Sequence, residues 1–375
     1  MANADLLNEK ETPESANVRR DNLIERILTA TTGAMEMFSL YLGDRLGLYE
    51  VLAQDGPLTP AELARRTGTA ERYIQEWIEH QTVVGLLAVD DPALPAERRR
   101  YTLPEGHEDV LANSESVHYL APIAQLLAGV VSPLPSLVDA YRTGRGIPYS
   151  EYGTDTLEGQ GRINRNAFLR QLGPDWLSAL PELDERLRQP GAAIADLGCG
   201  VGWSSIAMAL HYPSAYVDGF DLDAPSIDLA RSHALSVKTT SLSDRLQFRV
   251  ADASDLGLSG KYDLVTVFEC LHDMSDPVSA LRTMRRLVKE EGMVLVIDER
   301  VGSSFLGGDG ELDGLMYGWS VLHCLPVGLH AQPSAATGTV MRPATLERYA
   351  REAGFSRVEI LPVDAGLFRL YRLYS

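Results

Sequence analysis

The chain has 375 residues, enough for two domains with separate cores. Its formal net charge is −18, from 34 basic and 52 acidic side chains, which disfavours nonspecific binding to nucleic acid or anionic lipid and suits a small-molecule ligand. Three widely spaced cysteines, Cys199, Cys270 and Cys324, suggest neither a disulfide framework nor a Cys-x-x-Cys metal site, so a reducing cytoplasm is the expected location.

Residues 1–20 are polar, lack the apolar core of a signal peptide, and read as a disordered arm. From Asn22 to Leu48 an apolar stripe recurs at helical spacing and must be buried in its own domain or against a second subunit. Thr59, Pro60 and Glu62 form a capping box at the start of a helix, Thr67-Gly68-Thr69 turns the chain, and a second helix runs from about Ala70 to Val84. Gly85–Val89 and Arg100–Leu103 can pair as a hairpin. Residues 21–105 therefore read as a winged helix-turn-helix. Its second helix presents Glu71, Glu76 and Glu79 against Arg72 alone, a poor match to a phosphate backbone, so packing and homodimerisation are the expected uses.

Residues 106–185 read as a helical connector that contributes to a substrate pocket, with a loop from Gly144 to Gly153 and a helix from Asn164 to Leu172. The most apolar stretch, Tyr119–Val138, holds Pro122, Gln125, Pro133 and Pro135, and is expected as buried helices broken by proline, not as a membrane span. Residues 186–375 alternate strand and helix, which implies a parallel α/β sheet.

The chemistry concentrates in that second half. A short strand, Ala193–Leu197, runs into Gly198-Cys199-Gly200-Val201-Gly202, and a helix begins at Trp203. Strand, glycine loop and helix together hold a nucleotide at a helix N-terminus. A dinucleotide fingerprint would need glycine at position 203, where Trp203 stands. A second strand ends at Asp221, whose carboxylate can accept from both hydroxyls of a ribose or cap the next helix; its place at the sheet's carboxyl edge favours ribose. A third strand, Leu246–Val250, leads to Asp252 and Ala253, and a fourth, Tyr262–Phe268, to Glu269-Cys270-Leu271-His272-Asp273-Met274.

Asp196 with glycines at 198, 200 and 202 matches the D/E-x-G-x-G-x-G loop, and residues 190–300 resemble the class I S-adenosylmethionine-dependent methyltransferases. Residues 22–375 resemble the small-molecule O-methyltransferase type of secondary metabolism, which implies a Rossmann-like, doubly wound, seven-stranded α/β domain preceded by a mainly α winged-helix domain. The resemblance implies S-adenosyl-L-methionine as cofactor, held by Asp196, Gly198, Cys199, Gly200, Gly202, Asp221, Leu222, Asp252, Ala253 and Glu269, with Asp252 at the adenine amino group. His272-Asp273-Met274-Ser275-Asp276 is similar to the His-Asp-Trp-Ser-Asp stretch carrying the catalytic histidine of plant phenolic O-methyltransferases, with Met274 in place of the tryptophan. His272 is then the general base, and Glu299, in Val296-Ile-Asp-Glu-Arg-Val, orients it.

Residues 301–343 are expected to form a lid insertion, with a flexible Gly307–Gly310 loop and with Trp319 and His323 facing the substrate beside Asp273. His272, Asp273 and His323 also have the composition of a two-histidine, one-carboxylate metal site, resembling metal-dependent C-methyltransferases of α-keto acids. That alternative stays open beside the expectation of no metal. A ligand-sensing winged-helix regulator is a further alternative.

Overall fold

A computed structural model describes residues 15–237, 242–254, 256–307 and 311–375. Two compact units divide between Glu108 and Asp109. Of the expected arm, residues 1–14 lie outside the described residues. The rest is helical: the Ser15 side chain accepts from the Val18 N–H and caps α1, Ala16–Arg45.

In the first unit α1 is followed by α2 (Leu48–Asp55), α3 (Pro60–Thr67) and α4 (Glu71–Val83). The capping box forms as expected: Thr59 Oγ1 accepts from the Glu62 N–H at 3.3 Å, and Glu62 Oε2 from the Thr59 N–H at 2.9 Å. Trp77 and Gln81 of α4 tie it to α1, donating to the Ser39 carbonyl and hydroxyl, each at 2.9 Å. The wing is shorter than expected, with β1 (Ala88–Val89) antiparallel to β2 (Tyr101–Thr102). The reason is local: Gly85 sits at φ +83°, and the amides of Leu86 and Leu87 turn back to the Gln81 carbonyl instead of entering the hairpin.

The second unit is built on a seven-stranded sheet of order β5-β4-β3-β6-β7-β9-β8. The strands are β3 (Ala193–Leu197), β4 (Tyr216–Asp221), β5 (Leu246–Val250), β6 (Tyr262–Phe268), β7 (Val288–Glu299), β8 (Arg357–Ile360) and β9 (Phe368–Tyr374). Strands β3 to β7 pair in parallel, and β9 inserts antiparallel between β7 and β8. Every residue of β3 and β6 is buried, as a sheet covered on both faces requires. One apolar layer packs Ile206, Met208, Leu264 and Leu295 on one face; the other packs Val265, Leu281, Met284 and Tyr349. Chain order reverses between β3 and β6, which opens a crevice at the carboxyl ends of the central strands.

Helices of the second unit include α5 (Pro122–Val131), α6 (Leu134–Thr143), α7 (Gly153–Ala167), α8 (Trp203–His211), α9 (Ala224–Ser236), α10 (Pro277–Leu287), α11 (Glu311–Trp319) and α12 (Pro343–Glu352). The helix expected from Asn164 is the end of α7, which runs on as a π-helix over Phe168–Leu177, where Pro174 lacks the donor for a regular ladder. The apolar stretch at 119–138 forms α5 and α6, bent by 49°, and no single helix among the described residues is long and apolar enough to cross a membrane. Of the expected glycine loop at 307–310, residues 308–310 lie outside the described residues.

Candidate active site

The glycine loop joins β3 to α8 through residues that only glycine suits. Gly198 has φ +65°, and a Cβ there would come within 2.2 Å of Cys270 Sγ; Gly202 has φ +87°, and its Cβ would come within 2.7 Å of Ala230. Above Gly200, at the crest, no atom would lie within 4 Å of an added Cβ. The loop is packed below and open above, a cradle suited to a ligand on the helix N-terminus. Asp196 precedes this loop at the end of β3. It is fully buried, and its carboxylate accepts from Ser204 and Ser205 at 2.6 Å each and from Thr266 at 3.1 Å. It braces the loop from within the fold, where three hydroxyls claim it. Cys199 is buried too, its amide donating to the Phe220 carbonyl at 3.0 Å.

Asp221 ends β4. Its Oδ2 accepts from the Gly200 N–H at 2.8 Å and its Oδ1 from the Asp223 N–H at 2.9 Å. Burial raises its proton affinity. The capping role that competed for this residue belongs to Asp223, whose carboxylate accepts from the Ser226 N–H at 2.9 Å at the start of α9. Leu222 is exposed beside it. Asp252 is exposed beyond β5, where its Oδ1 accepts from the Ser254 N–H at 2.8 Å, and Ala253 packs against the core.

Beyond β6 the backbone turns sharply. Glu269 has φ +53°, a strained value for a residue with a side chain, and its N–H donates to the Ile297 carbonyl at 2.8 Å. Its carboxylate accepts from Gln160 Nε2 at 3.0 Å and Asn164 Nδ2 at 2.9 Å, both on α7. Burial, then the nearby Glu299 carboxylate, raise its proton affinity.

His272 follows, 1% exposed. Its Nδ1 lies 2.7 Å from Asp298 Oδ1 and 3.0 Å from Glu299 Oε2. Since carboxylates only accept, Nδ1 carries the proton and donates to Asp298. The expected orienter, Glu299, is therefore joined and outranked by Asp298, which sequence reasoning passed over. Both reach one nitrogen because they end β7. A charged residue in the buried run Val294–Asp298 was the available signal. Burial disfavours the imidazolium, yet Asp298 and Glu299 outweigh it and hold His272 well above its ordinary value. The segment that follows α11 clasps this turn, with the Gly338 amide on the His272 carbonyl at 3.0 Å and the Ala335 amide on that of Ser275 at 2.8 Å.

Asp273 is pushed up to about 7 by burial. His323 is pushed down to about 4 by burial and by the charge of His272. Its ring meets Tyr152 and Tyr149 edge-on, with centroids 4.5 and 5.7 Å apart. The loop carrying these tyrosines is bonded to the 301–343 segment expected as a lid, Tyr152 Oη donating to the Leu322 carbonyl and the Ile147 amide to that of Pro326, each at 2.9 Å. Neither tyrosine was singled out in the sequence, because nothing local to residues 144–153 shows where the lid will lie. Trp319 is half-buried at the end of α11.

Among the described residues, three donor atoms come within 4.8 Å of one another only in the set His272, Asp298 and Glu299. The trio anticipated for a metal, His272, Asp273 and His323, does not gather, and the His272 nitrogen facing the first set already donates to Asp298.

Known proteins are similar to this chain in both units. Residues 188–331 match the family described as a methyltransferase domain, and residues 34–113 match the Rv2258c-like winged helix-turn-helix domain. The chain is 30% identical over 197 residues to the ubiquinone biosynthesis O-methyltransferase of Pseudomonas syringae pv. tomato, covering 52% of this chain and 77% of that protein. Human N-acetylserotonin methyltransferase, solved with S-adenosylmethionine, superposes with a TM-score of 0.67 at 18% identity over 97% of this chain and 99% of that one. An O-methyltransferase family protein of Burkholderia thailandensis superposes with a TM-score of 0.64 at 18% identity over 94% and 97%.

Proposed function

This chain belongs to the S-adenosylmethionine-dependent methyltransferases, and we propose that it methylates a hydroxyl oxygen of a small organic acceptor, with His272 as the general base. The observation that carries this reading is the buried His272–Asp298 contact of 2.7 Å, at the edge of the sheet that also holds the glycine loop and Asp221.

The donor, when bound, supplies a methyl carbon whose bond to a sulfonium breaks as the acceptor oxygen bonds to that carbon. The chain does the rest. Asp221 receives the ribose hydroxyls through the lone pairs left beside its two backbone donors, and the Gly200 crest leaves room for the nucleoside. Asp298 holds the Nδ1 proton, so Nε2 is the ring nitrogen that takes the acceptor proton. The imidazolium that results is stabilised by Asp298 and Glu299, and the basicity they impose brings His272 nearer to a phenol. The lid and the 144–153 loop, joined at Leu322 and Pro326, exclude water above His272.

The charge around His272 argues for a neutral acceptor. Glu269, Asp273, Asp298 and Glu299 gather near one imidazole, and a carboxylate acceptor such as an α-keto acid would add a further acidic group where burial already raises the proton affinity of Glu269, Asp273 and Glu299. The names of the relatives support oxygen as the atom methylated. The test is methyl transfer from labelled S-adenosylmethionine to a panel of phenols, alcohols and α-keto acids. Product with the keto acids alone would overturn the proposal.

The regulator alternative is opposed by the wing itself. Arg99 pairs with Glu79 and Arg100 with Glu62, each at 3.1 Å, so these cations are spent inside the domain. A better use of the first unit is self-association, in keeping with a cytoplasmic enzyme of secondary metabolism. Leu23, Ile24, Ile27 and Leu28 stand 52–63% exposed on α1, a cluster that a second copy would cover. Light scattering should give twice the 41.1 kDa chain mass, and glutamate at Ile24, Ile27 and Leu28 should halve it. A monomeric parent would rule the dimer out.

A further inference from the structure

We propose that Gln160 and Asn164 of α7 are positioning residues, which hold the Glu269 carboxylate as the receptor for the ammonium group at the amino-acid end of the methyl donor. The inference rests on the reading that S-adenosylmethionine lies across the glycine loop.

The sheet order sets the direction. Asp221 on β4 marks the ribose, β3 and its loop come next, and β6 lies beyond, with Glu269 at its tip. A donor whose ribose is held at Asp221 therefore extends its other end over the Gly200 crest toward Glu269. That end carries a cationic amine, and Glu269 is a buried carboxylate with no Lys or Arg side chain paired to it in an ion pair or hydrogen bond among the described residues.

Glu269 is held in an unfavourable posture. Its backbone sits in the left-handed region at φ +53°, so its side chain leaves the strand in a direction that a regular β residue would not take. Such a posture persists only when the surroundings over-determine it. Two amides do so, one on each carboxylate oxygen: Gln160 Nε2 on Oε2 at 3.0 Å and Asn164 Nδ2 on Oε1 at 2.9 Å. They stand one turn apart on one face of α7, at i and i+4, which lets a single helix grip both oxygens. Each oxygen keeps a second lone pair for an ammonium. Donation from Asn164 also favours the ionised carboxylate, against burial and the repulsion of Glu299. Loss of either amide would leave Glu269 less charged and free to turn away.

The experiment compares two ligands on the full chain by calorimetry. S-adenosylhomocysteine carries the ammonium; methylthioadenosine has the same nucleoside without it. Gln160→Ala and Asn164→Ala should each weaken S-adenosylhomocysteine about tenfold and change methylthioadenosine by less than about twofold. Glu269→Gln should reproduce the selective loss. Equal weakening of both ligands by the α7 variants would reduce them to packing residues and overturn the proposal. If Glu269→Gln is selective and the α7 variants bind normally, the positioning role fails while the ammonium site stands. A Glu269→Gln protein with an unchanged ratio of affinities would remove the site itself. Failure of the parent to bind methylthioadenosine would instead undercut the placement of the nucleoside at Asp221.

Discussion

Replacing His272 with alanine should lower kcat by about 10²–10⁴-fold, the usual contribution of a positioned proton acceptor, while the Kd for S-adenosylmethionine stays within about twofold. The two effects separate because His272 meets the acceptor proton and not the nucleoside. Removing the imidazole leaves Asp298 and Glu299 facing each other in a buried site, so the variant should also melt earlier. Pairing it with Asp298→Asn relieves that repulsion and keeps the test informative: a stable double variant that methylates at the parent rate would remove His272 from the chemistry.

The pH profile follows from the same contacts. Catalysis needs the neutral imidazole, and Asp298 and Glu299 hold the proton on His272 well above the ordinary histidine range despite its burial. Activity should therefore fall as pH is lowered through that raised value, and should still be climbing above neutrality. Asp298→Asn removes the nearest negative charge, so the rise should move to lower pH while the plateau drops. A rate independent of pH from 6 to 10 (about four decades of proton activity) would contradict a histidine base.

Asp221→Ala should weaken S-adenosylmethionine about 100-fold, as expected for losing two charge-assisted hydrogen bonds. Part of that loss passes through the loop, because the Asp221 carboxylate also receives the Gly200 and Asp223 amides. Asp221→Asn keeps the shape and one acceptor oxygen, so it should fall between parent and alanine. Calorimetry with S-adenosylhomocysteine measures both variants. Parent-like binding by Asp221→Ala would move the ribose elsewhere.

The strands, helices and glycine loop were legible because their signals are local. The strands ending at Leu197, Asp221, Val250 and Phe268, the capping box at Thr59 and the loop at 198–202 all depend on residues within a few positions of one another, and each formed where its pattern placed it, whereas β7 begins eight residues before the Val296 pattern that marked it. The place of Asp221 at the end of β4 was legible for the same reason, and the following helix is capped by Asp223, two residues on. The partners of Asp196 were not legible, since the hydroxyls that claim it come from α8 and β6.

The sequence by itself determined the fold, the glycine loop and the place of His272 in the turn beyond β6. Only the tertiary structure decided which carboxylate holds that histidine, which amides hold Glu269, and that a loop near residue 150 bonds to the segment near residue 325. Those partners lie from 26 to 170 positions apart in the chain. Such contacts are created by packing a sheet edge against helices, and no periodicity or spacing along the chain encodes them.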